Sequence, residues 1–200
     1  MNKLKALMVD VDGVVIRTRP GGWTADLETD LGLPADLLQS HFFRPHWSDV
    51  VMGRAALRDR LDPFLARHAP HLTSDELTAY WFAKDAWLDD ELLADLAALR
   101  SRGLILHLAT VQEHERAAYL WNTLGFSDCF DAMHYAADLG CGKPDPEFYA
   151  RIEARTGFAP ADLFLLDDRP ANVEAARAAS WGGALWDGTA RLSEVLAAGG

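Results

Sequence analysis

The stretch LKALMVDVDGVVI, from Leu4 to Ile16, places two aspartates, Asp10 and Asp12, inside a run of residues that usually fill a protein core. Core strands avoid unpaired carboxylates because it is costly to remove a charge from water without giving it a partner. Two explanations are open at this point. Either the aspartates end a strand at a turn, or a positive group lies close to them.

The overall composition is that of an acidic globular protein. The chain has 200 residues, of which 50% are hydrophobic and 24% are charged, and its formal net charge is -11. This length supports one substantial core and a smaller additional unit. Proteins that bind phosphate backbones or anionic lipid surfaces are usually basic. We therefore expect neither nucleic acid nor a membrane as a partner.

The cysteines and the N-terminus indicate an intracellular protein. Cys129 and Cys141 have no CxxC spacing, which argues against a disulfide framework and against a structural zinc site. The first apolar run is interrupted by aspartates after a few residues, so it fits neither a signal peptide nor a membrane span. We expect a cytoplasmic protein that is a monomer or a homodimer.

The second half of the chain alternates between strand-like and helix-like patterns. The strand-like runs are LILHLAT (104–110), AMHYA (132–136), LFLL (163–166) and GGALW (182–186). Strands that alternate with helices predict βαβ units and a parallel sheet, in which LKALMVD is the first strand. Between about residues 20 and 88 the patterns are helical only, which favours an inserted all-helical subdomain. The predicted fold class is therefore α/β.

Polar side chains stand where the predicted strands end. The carboxyl ends of parallel strands meet at one edge of a sheet, and ligands of open α/β sheets bind there. The groups in question are Asp10, Asp12 and Gly13 after the first strand, Thr110, Lys143 in GCGKPDPEFY, and the pair Asp167 and Asp168. Each alone has an ordinary explanation, such as a turn, a solvated lysine or a helix N-cap. Their occurrence on successive strand ends favours a functional site.

The charges at this edge predict a bound cation. Two carboxylates about 4 Å apart repel each other by roughly 4 kcal/mol at an effective dielectric constant of about 20. Four carboxylates around one crevice cannot all stay ionised when Lys143 is the one positive charge. A hard divalent ion with oxygen ligands removes this conflict, and Mg²⁺ fits best. Asp10 and Asp12, two residues apart, would then point to the same side of an extended backbone.

Four stretches of the chain resemble the motifs of the haloacid dehalogenase superfamily. DVDGVV resembles the first motif, LHLAT the second, GKPDPEFY the third and LFLLDDRPANVEAA the fourth. The helical insert is similar to the small cap of sugar-phosphate phosphatases and of the β-phosphoglucomutase group. The resemblance implies a Rossmann-like core, with helices on both faces of the sheet, formed by residues 1–16 and 89–200. A helical cap would occupy residues 17–88.

The resemblance also implies an activity and its nucleophile. The chain would be a Mg²⁺-dependent phosphoric monoester hydrolase that acts on a small phosphorylated metabolite, for example a sugar phosphate. Asp10 would attack phosphorus and form an aspartyl-phosphate. Asp12 would be the general acid for the leaving alcohol and then the base for the hydrolytic water.

The remaining roles follow from the same resemblance. Mg²⁺ would lie between Asp10, the backbone carbonyl of Asp12 and Asp168. Asp167 would orient a metal-bound water or Lys143.

Other residues would contact the substrate. The phosphoryl group would meet Thr110, Lys143 and Gly13. In the cap stretch SHFFRPHWSDV, His46 and Trp47 would bind the rest of the substrate, although packing within the cap is an alternative explanation for both.

Two features bear on which reaction the chain performs. Haloacid dehalogenases lack an aspartate two residues after the nucleophile because a halide needs no proton, so Asp12 favours phosphoryl transfer. Val111 stands where similar members often carry asparagine. The valine would lack the polar contact that asparagine makes near the phosphoryl group. A phosphomutase of the β-phosphoglucomutase type and a non-catalytic binding module are the alternatives.

Overall fold

The computed structural model describes residues 4–198 and contains a sheet of five parallel strands. The strands are β1 (Ala6–Val9), β2 (Ile105–Thr110), β3 (Ala132–Tyr135), β4 (Leu163–Asp167) and β5 (Gly182–Leu185). Their order across the sheet is β3-β2-β1-β4-β5. The predicted parallel α/β fold is therefore confirmed. Residues 1–3 and 199–200, which belong to the predicted core, lie outside the described residues.

The central strand β1 is buried on both faces. Its four residues have no exposed surface, and their side chains alternate between two hydrophobic clusters. Leu7 and Val9 belong to one cluster, while Ala6 and Met8 belong to the other. A strand that is apolar on both sides requires helices on both sides of the sheet. This explains why LKALMV shows a continuous apolar run rather than an alternating pattern.

A group of helices follows β1 before the chain returns to the sheet. These helices are α1 (Leu27–Leu31), α2 (Ala35–Leu38), α3 (Arg44–Val51), α4 (Leu57–His68) and α5 (Ser74–Lys84). A π-helical turn, Gln39–Phe43, joins α2 to α3. The group has its own hydrophobic cluster, which includes Leu38, Phe42 and Leu61. We refer to residues 17–88 as the helical region.

The chain enters and leaves the helical region along two adjacent segments. Ile16 and Leu88 form an isolated antiparallel bridge. On either side of it, Arg17 N donates to Trp87 O at 2.8 Å and Asp89 N donates to Val15 O at 2.9 Å. The helical region is thus an insertion whose two ends lie side by side. The exact limits predicted for a cap, residues 17 and 88, stay a prediction.

The remaining helices cover the sheet. They are α6 (Asp90–Ser101), α7 (His114–Ala118), α8 (Phe126–Cys129), α9 (Ala136–Leu139), α10 (Pro146–Thr156), α11 (Pro170–Ala178) and α12 (Leu192–Ala198). The ends of α10 follow from its sequence, because Asp145 caps its first turn and Gly157 ends it in a left-handed conformation. No helix within residues 4–198 combines the length and the apolar character needed to cross a bilayer.

Helix α7 connects the sheet to the helical region. Arg116 on α7 is 2% exposed, and it donates to Phe82 O at 2.9 Å and to Asp85 Oδ2 at 3.3 Å. The preceding residue, Glu115, accepts three hydrogen bonds from Arg58 of α4, two from its Nε at 3.1 Å and one from its Nη2 at 2.9 Å. A buried guanidinium needs such acceptors because its desolvation is costly. Two successive residues of α7 therefore hold two helices of the inserted region.

Two buried histidines face each other across β2 and β3. His134 Nε2 lies 3.0 Å from His107 Nδ1, and the residues are 6% and 8% exposed. Burial lowers the pKa of both imidazoles. The pKa of His134 falls to about 4, mainly because of burial and to a smaller extent because of the nearby His107. The neutral pair is therefore the stable form in the folded chain.

We expect His134 to make the fold less stable in mild acid. An unfolded histidine takes up a proton near pH 6.5, whereas the folded one stays neutral until about pH 4, so a falling pH favours the unfolded chain. Between about pH 7.5 and about pH 5 this difference amounts to roughly 2 kcal/mol. Urea unfolding at both pH values should show that the wild type loses about 2 kcal/mol more than a His134→Gln variant.

The exposed His71 offers a matched control. His71→Gln should keep the pH dependence of the wild type, because this side chain is exposed. An equal loss of stability in the wild type and in His134→Gln would contradict the prediction.

Candidate active site

The carboxyl ends of β1, β2 and β4 meet beside a cavity of about 270 Å³. The chain winds from β1 to β2 and β3 on one side of the sheet, and then crosses to β4 and β5 on the other. Such a reversal next to β1 opens a crevice at the carboxyl edge of the sheet. Five of the predicted site residues line the cavity: Asp10, Asp12, Thr110, Lys143 and Trp47.

A buried lysine lies between two carboxylates at the base of the cavity. Lys143 Nζ is 2.9 Å from Asp10 Oδ1 and donates to Asp167 Oδ2 at 2.5 Å. All three residues are buried, and Asp167 has no exposed surface. Burial raises the pKa of Asp10 to about 7. The positive charge of Lys143 lowers this pKa and the negative charge of Asp167 raises it, but both effects are smaller than that of burial. One ammonium group is therefore too little positive charge for this cluster.

Asp167 and Asp168 have different surroundings although they are neighbours. Asp167 Oδ1 accepts hydrogen bonds from Arg169 N and from Asn172 Nδ2, both at 2.9 Å, and its Oδ2 accepts from Lys143. Both oxygens of Asp167 are thus occupied by protein donors. Asp168 Oδ1, in contrast, is buried and has no hydrogen-bond partner among the residues that the structure describes. Burial, and next the charge of Asp167, raise the pKa of Asp168.

The carboxylates fit a cation. Asp10, Asp167 and Asp168 each offer an oxygen, and these oxygens lie within 4.8 Å of one another. Gly13 leaves room for this cluster, because a Cβ at this position would overlap the Asp168 carboxylate. Its φ of +81° is also one that glycine adopts readily. A buried oxygen without a donor next to other carboxylates is typical of a site for a hard divalent ion.

Asp12 and Thr110 both line the cavity but differ in exposure. Thr110, the last residue of β2, is 1% exposed. Asp12 is exposed, and its Oδ2 accepts a hydrogen bond of 2.7 Å from Gln112 Nε2. Val111 lines the same cavity with an apolar side chain. The polar side chain that reaches Asp12 from the loop after β2 is therefore Gln112 and not residue 111.

The helical region contributes aromatic and acidic groups to the lining of the cavity. Trp47 and Trp81 both line it, and their ring centroids are 5.5 Å apart. Asp85 lines it as well, and burial raises the pKa of this carboxyl to about 6 despite the nearby Arg116. His46, which was predicted beside Trp47, is not among the lining residues within the described part of the chain. A substrate would meet two indole rings and a carboxylate here.

The sequence-based prediction missed several lining residues. Gln112, Arg116, Asp85 and Asn172 are brought to the site by contacts between distant parts of the chain. Asn172 lies within LFLLDDRPANVEAA, so its place in the motif was a usable signal. For the other three, nothing in the local pattern distinguishes them from polar residues at the ends of helices.

Comparison with known proteins agrees with this geometry. A validoxylamine A 7'-phosphate phosphatase of Streptomyces hygroscopicus is 27% identical over 183 residues, with 88% of this chain and 82% of that protein covered. A phosphorylated carbohydrates phosphatase of Thermotoga maritima is 25% identical over 182 residues, with the same coverage of 88% and 82%. Both relatives carry names of phosphatases.

Solved structures show the same fold. The crystal structure of a HAD family enzyme from Bacteroides thetaiotaomicron superposes with a TM-score of 0.80 at 15% identity, with 96% of this chain and 98% of that one covered. Its complex with magnesium and inorganic phosphate gives a TM-score of 0.78 at 16% identity, with the same coverage of 96% and 98%. A model of the haloacid dehalogenase-like hydrolases matches residues 4–180. The chain therefore belongs to the haloacid dehalogenase-like hydrolase family.

Proposed function

We propose that this hydrolase is a Mg²⁺-dependent phosphatase that acts on a small phosphorylated metabolite. The observation that carries the proposal is the buried cluster of Asp10, Lys143 and Asp167 beside an oxygen of Asp168 that has no hydrogen-bond partner among the described residues. Relatives named as phosphatases of phosphorylated carbohydrates support a sugar phosphate or a similar ester as substrate. The Bacteroides enzyme that binds magnesium and phosphate supports the choice of ion.

The proposed nucleophile is Asp10. Among the described residues, the hydrogen bond from Val11 N and the ion pair with Lys143 both reach its Oδ1, and no protein donor reaches its Oδ2. A carboxylate must be ionised to attack, and Lys143 favours the ionised form. When bound, Mg²⁺ would supply the further positive charge that the carboxylates and the phosphoryl oxygens require. Asp10, Asp168 and the backbone carbonyl of Asp12 would hold it.

The other roles follow from which groups are free. Asp167 is fully hydrogen bonded, so we assign it to holding Lys143 rather than to direct contact with the ion. Thr110 and Lys143 would bind phosphoryl oxygens. Asp12 would give a proton to the leaving alcohol and accept one from the attacking water.

The size of the rate enhancement explains why so many charged groups are needed. Hydrolysis of phosphate monoesters is accelerated by enzymes by up to ~10²¹-fold. One general acid supplies only ~10²–10⁴ of this factor. Most of the acceleration must therefore come from positioning and charge stabilisation, which is the task of the lysine and the cation.

We propose that the helical region is a cap over this site. It contributes Trp47 and Trp81 to the cavity and begins and ends beside Ile16 and Leu88. It also touches the opposite side of the rim, where Gly53 lies so close to the Ala137 carbonyl that a Cβ would overlap it. The cap would select the leaving group.

The proposed activity predicts chelator-sensitive phosphate release. The assay uses a panel of sugar phosphates, nucleotides and an activated aryl phosphate, each with Mg²⁺ and with a chelator. We expect release from at least one compound with Mg²⁺ and its loss with the chelator, because the carboxylates need a cation to accept an anionic substrate. Absence of release from every compound would contradict the proposal and would favour a phosphomutase or a binding role.

Replacement of the nucleophile should abolish turnover. Asp10→Asn keeps the size of the side chain but removes the attacking carboxylate, so kcat/KM should fall by at least about 10³-fold. The measurement is phosphate release, with thermal unfolding to verify the fold. Asp62→Asn, at an exposed position of α4, serves as the control and should retain activity. Normal activity of Asp10→Asn would remove Asp10 from this role.

Asp168→Ala should weaken Mg²⁺ binding by at least about 10-fold in a calorimetric titration. The substitution removes the oxygen that lacks a protein donor, so the stability of the metal-free chain should stay the same or increase. Asp62→Ala is the matched control and should leave the titration unchanged. An unaltered titration for Asp168→Ala would show that this residue does not hold the ion.

A further inference from the structure

We propose that Gln112 is a positioning residue that orients the Asp12 carboxylate toward the leaving group. The inference rests on the proposed function, in which Asp12 acts as a general acid. Its structural basis is the hydrogen bond of 2.7 Å from Gln112 Nε2 to Asp12 Oδ2. This contact joins the loop after β2 to the loop after β1.

The two partners differ in how firmly they are held. Gln112 is 4% exposed, whereas Asp12 is exposed. Among the residues that the structure describes, Gln112 is the hydrogen-bond partner of the Asp12 side chain, and no ion pair adds to it. An exposed aspartate with no partner samples several rotamers. A buried amide that donates to one of its oxygens reduces this freedom before the substrate binds.

Gln112 is itself fixed by the backbone around it. Its carbonyl oxygen accepts a hydrogen bond of 3.1 Å from Ala137 N, at the start of α9. The next residue, Glu113, caps α7, because its carboxylate accepts from the backbone N–H groups of Glu115 and Arg116. Gln112 thus stands between two anchored segments. The Gln112 amide can therefore hold the Asp12 carboxylate in one position.

The chemistry of the pair sets the direction of the contact. An ionised carboxylate offers only acceptors, so the amide nitrogen, and not the amide oxygen, must face Asp12. The bond engages Oδ2 and leaves Oδ1 for the leaving group. Val111 cannot take this part because its side chain carries no polar atom. In this chain the amide that contacts Asp12 therefore stands two residues after Thr110.

The test compares two esters of similar size whose leaving groups differ strongly in basicity, nitrophenyl phosphate and benzyl phosphate. A poor leaving group depends on protonation and a good one hardly does. Gln112→Met keeps the length of the side chain and removes the amide. It should lower kcat/KM by about 10-fold for benzyl phosphate and by less than about 3-fold for nitrophenyl phosphate. We use kcat/KM because it reports the step in which the alcohol leaves.

A matched control and a double variant make the result specific. Gln39→Met, at an exposed position of the helical region, should hydrolyse both esters like the wild type. In an Asp12→Ala background, Gln112→Met should change kcat/KM for benzyl phosphate by less than about 2-fold instead of about 10-fold, because its partner is gone. If Gln112→Met does not fold, Gln112→Glu replaces it. That variant sets a second carboxylate against Asp12 and should show the same preference for the good leaving group.

The outcomes separate this proposal from the proposed function. An equal loss on both esters, no loss on either, or an undiminished effect in the Asp12→Ala background would each overturn the role of Gln112. If Asp12→Ala alone fails to discriminate against benzyl phosphate, the assignment of Asp12 as the acid is wrong, and the role of Gln112 falls with it. A wild type that hydrolyses neither ester with Mg²⁺ would overturn both proposals.

Discussion

The buried contact of Lys143 with Asp10 and Asp167 is the constraint on which the rest of the site depends. It joins the end of β1, the end of β4 and the loop between α9 and α10, so it fixes the relative positions of three segments at the carboxyl edge of the sheet. Ion pairs of this kind contribute little net stability because desolvation offsets their attraction. The arrangement is better explained by function. It keeps the carboxylate of Asp10 buried, next to an oxygen of Asp168 that has no hydrogen-bond partner among residues 4–198.

The same constraint explains how much of the molecule was predictable. The strands, their parallel arrangement and the side chains at their ends follow from local patterns, since an apolar run that ends in aspartate or threonine marks both an element and its edge. Asp10, Thr110 and Lys143 were therefore identified from the sequence and lie together at the cavity. The family resemblance assigned Asp168 to the ion and Asp167 to a metal-bound water or Lys143. The hydrogen bonds that Asp167 accepts in the structure come from Asn172 and from the backbone amide of Arg169.

The residues that were missed share a physical cause. Gln112 reaches Asp12 across 100 positions, and Arg116 reaches Asp85 across 31 positions. A polar side chain near the start of a helix usually caps it or faces solvent, so its pairing with a distant segment leaves no periodic signal. Trp47 was identified because aromatic groups in a polar stretch are unusual. His46, one position earlier, is not among the described residues that line the cavity, since adjacent residues on a helix do not share a face.

The adjacent entry and exit of the helical region have a consequence for how such a chain can vary. Because Ile16 and Leu88 pair directly, the insertion is a loop whose two ends are held together where it leaves and rejoins the sheet. The entropy of closing a loop rises only with the logarithm of its length, so a longer or shorter insertion changes the stability of the sheet little. The helical region can therefore be exchanged as a module, while the carboxylates and the lysine at the edge of the sheet stay in place.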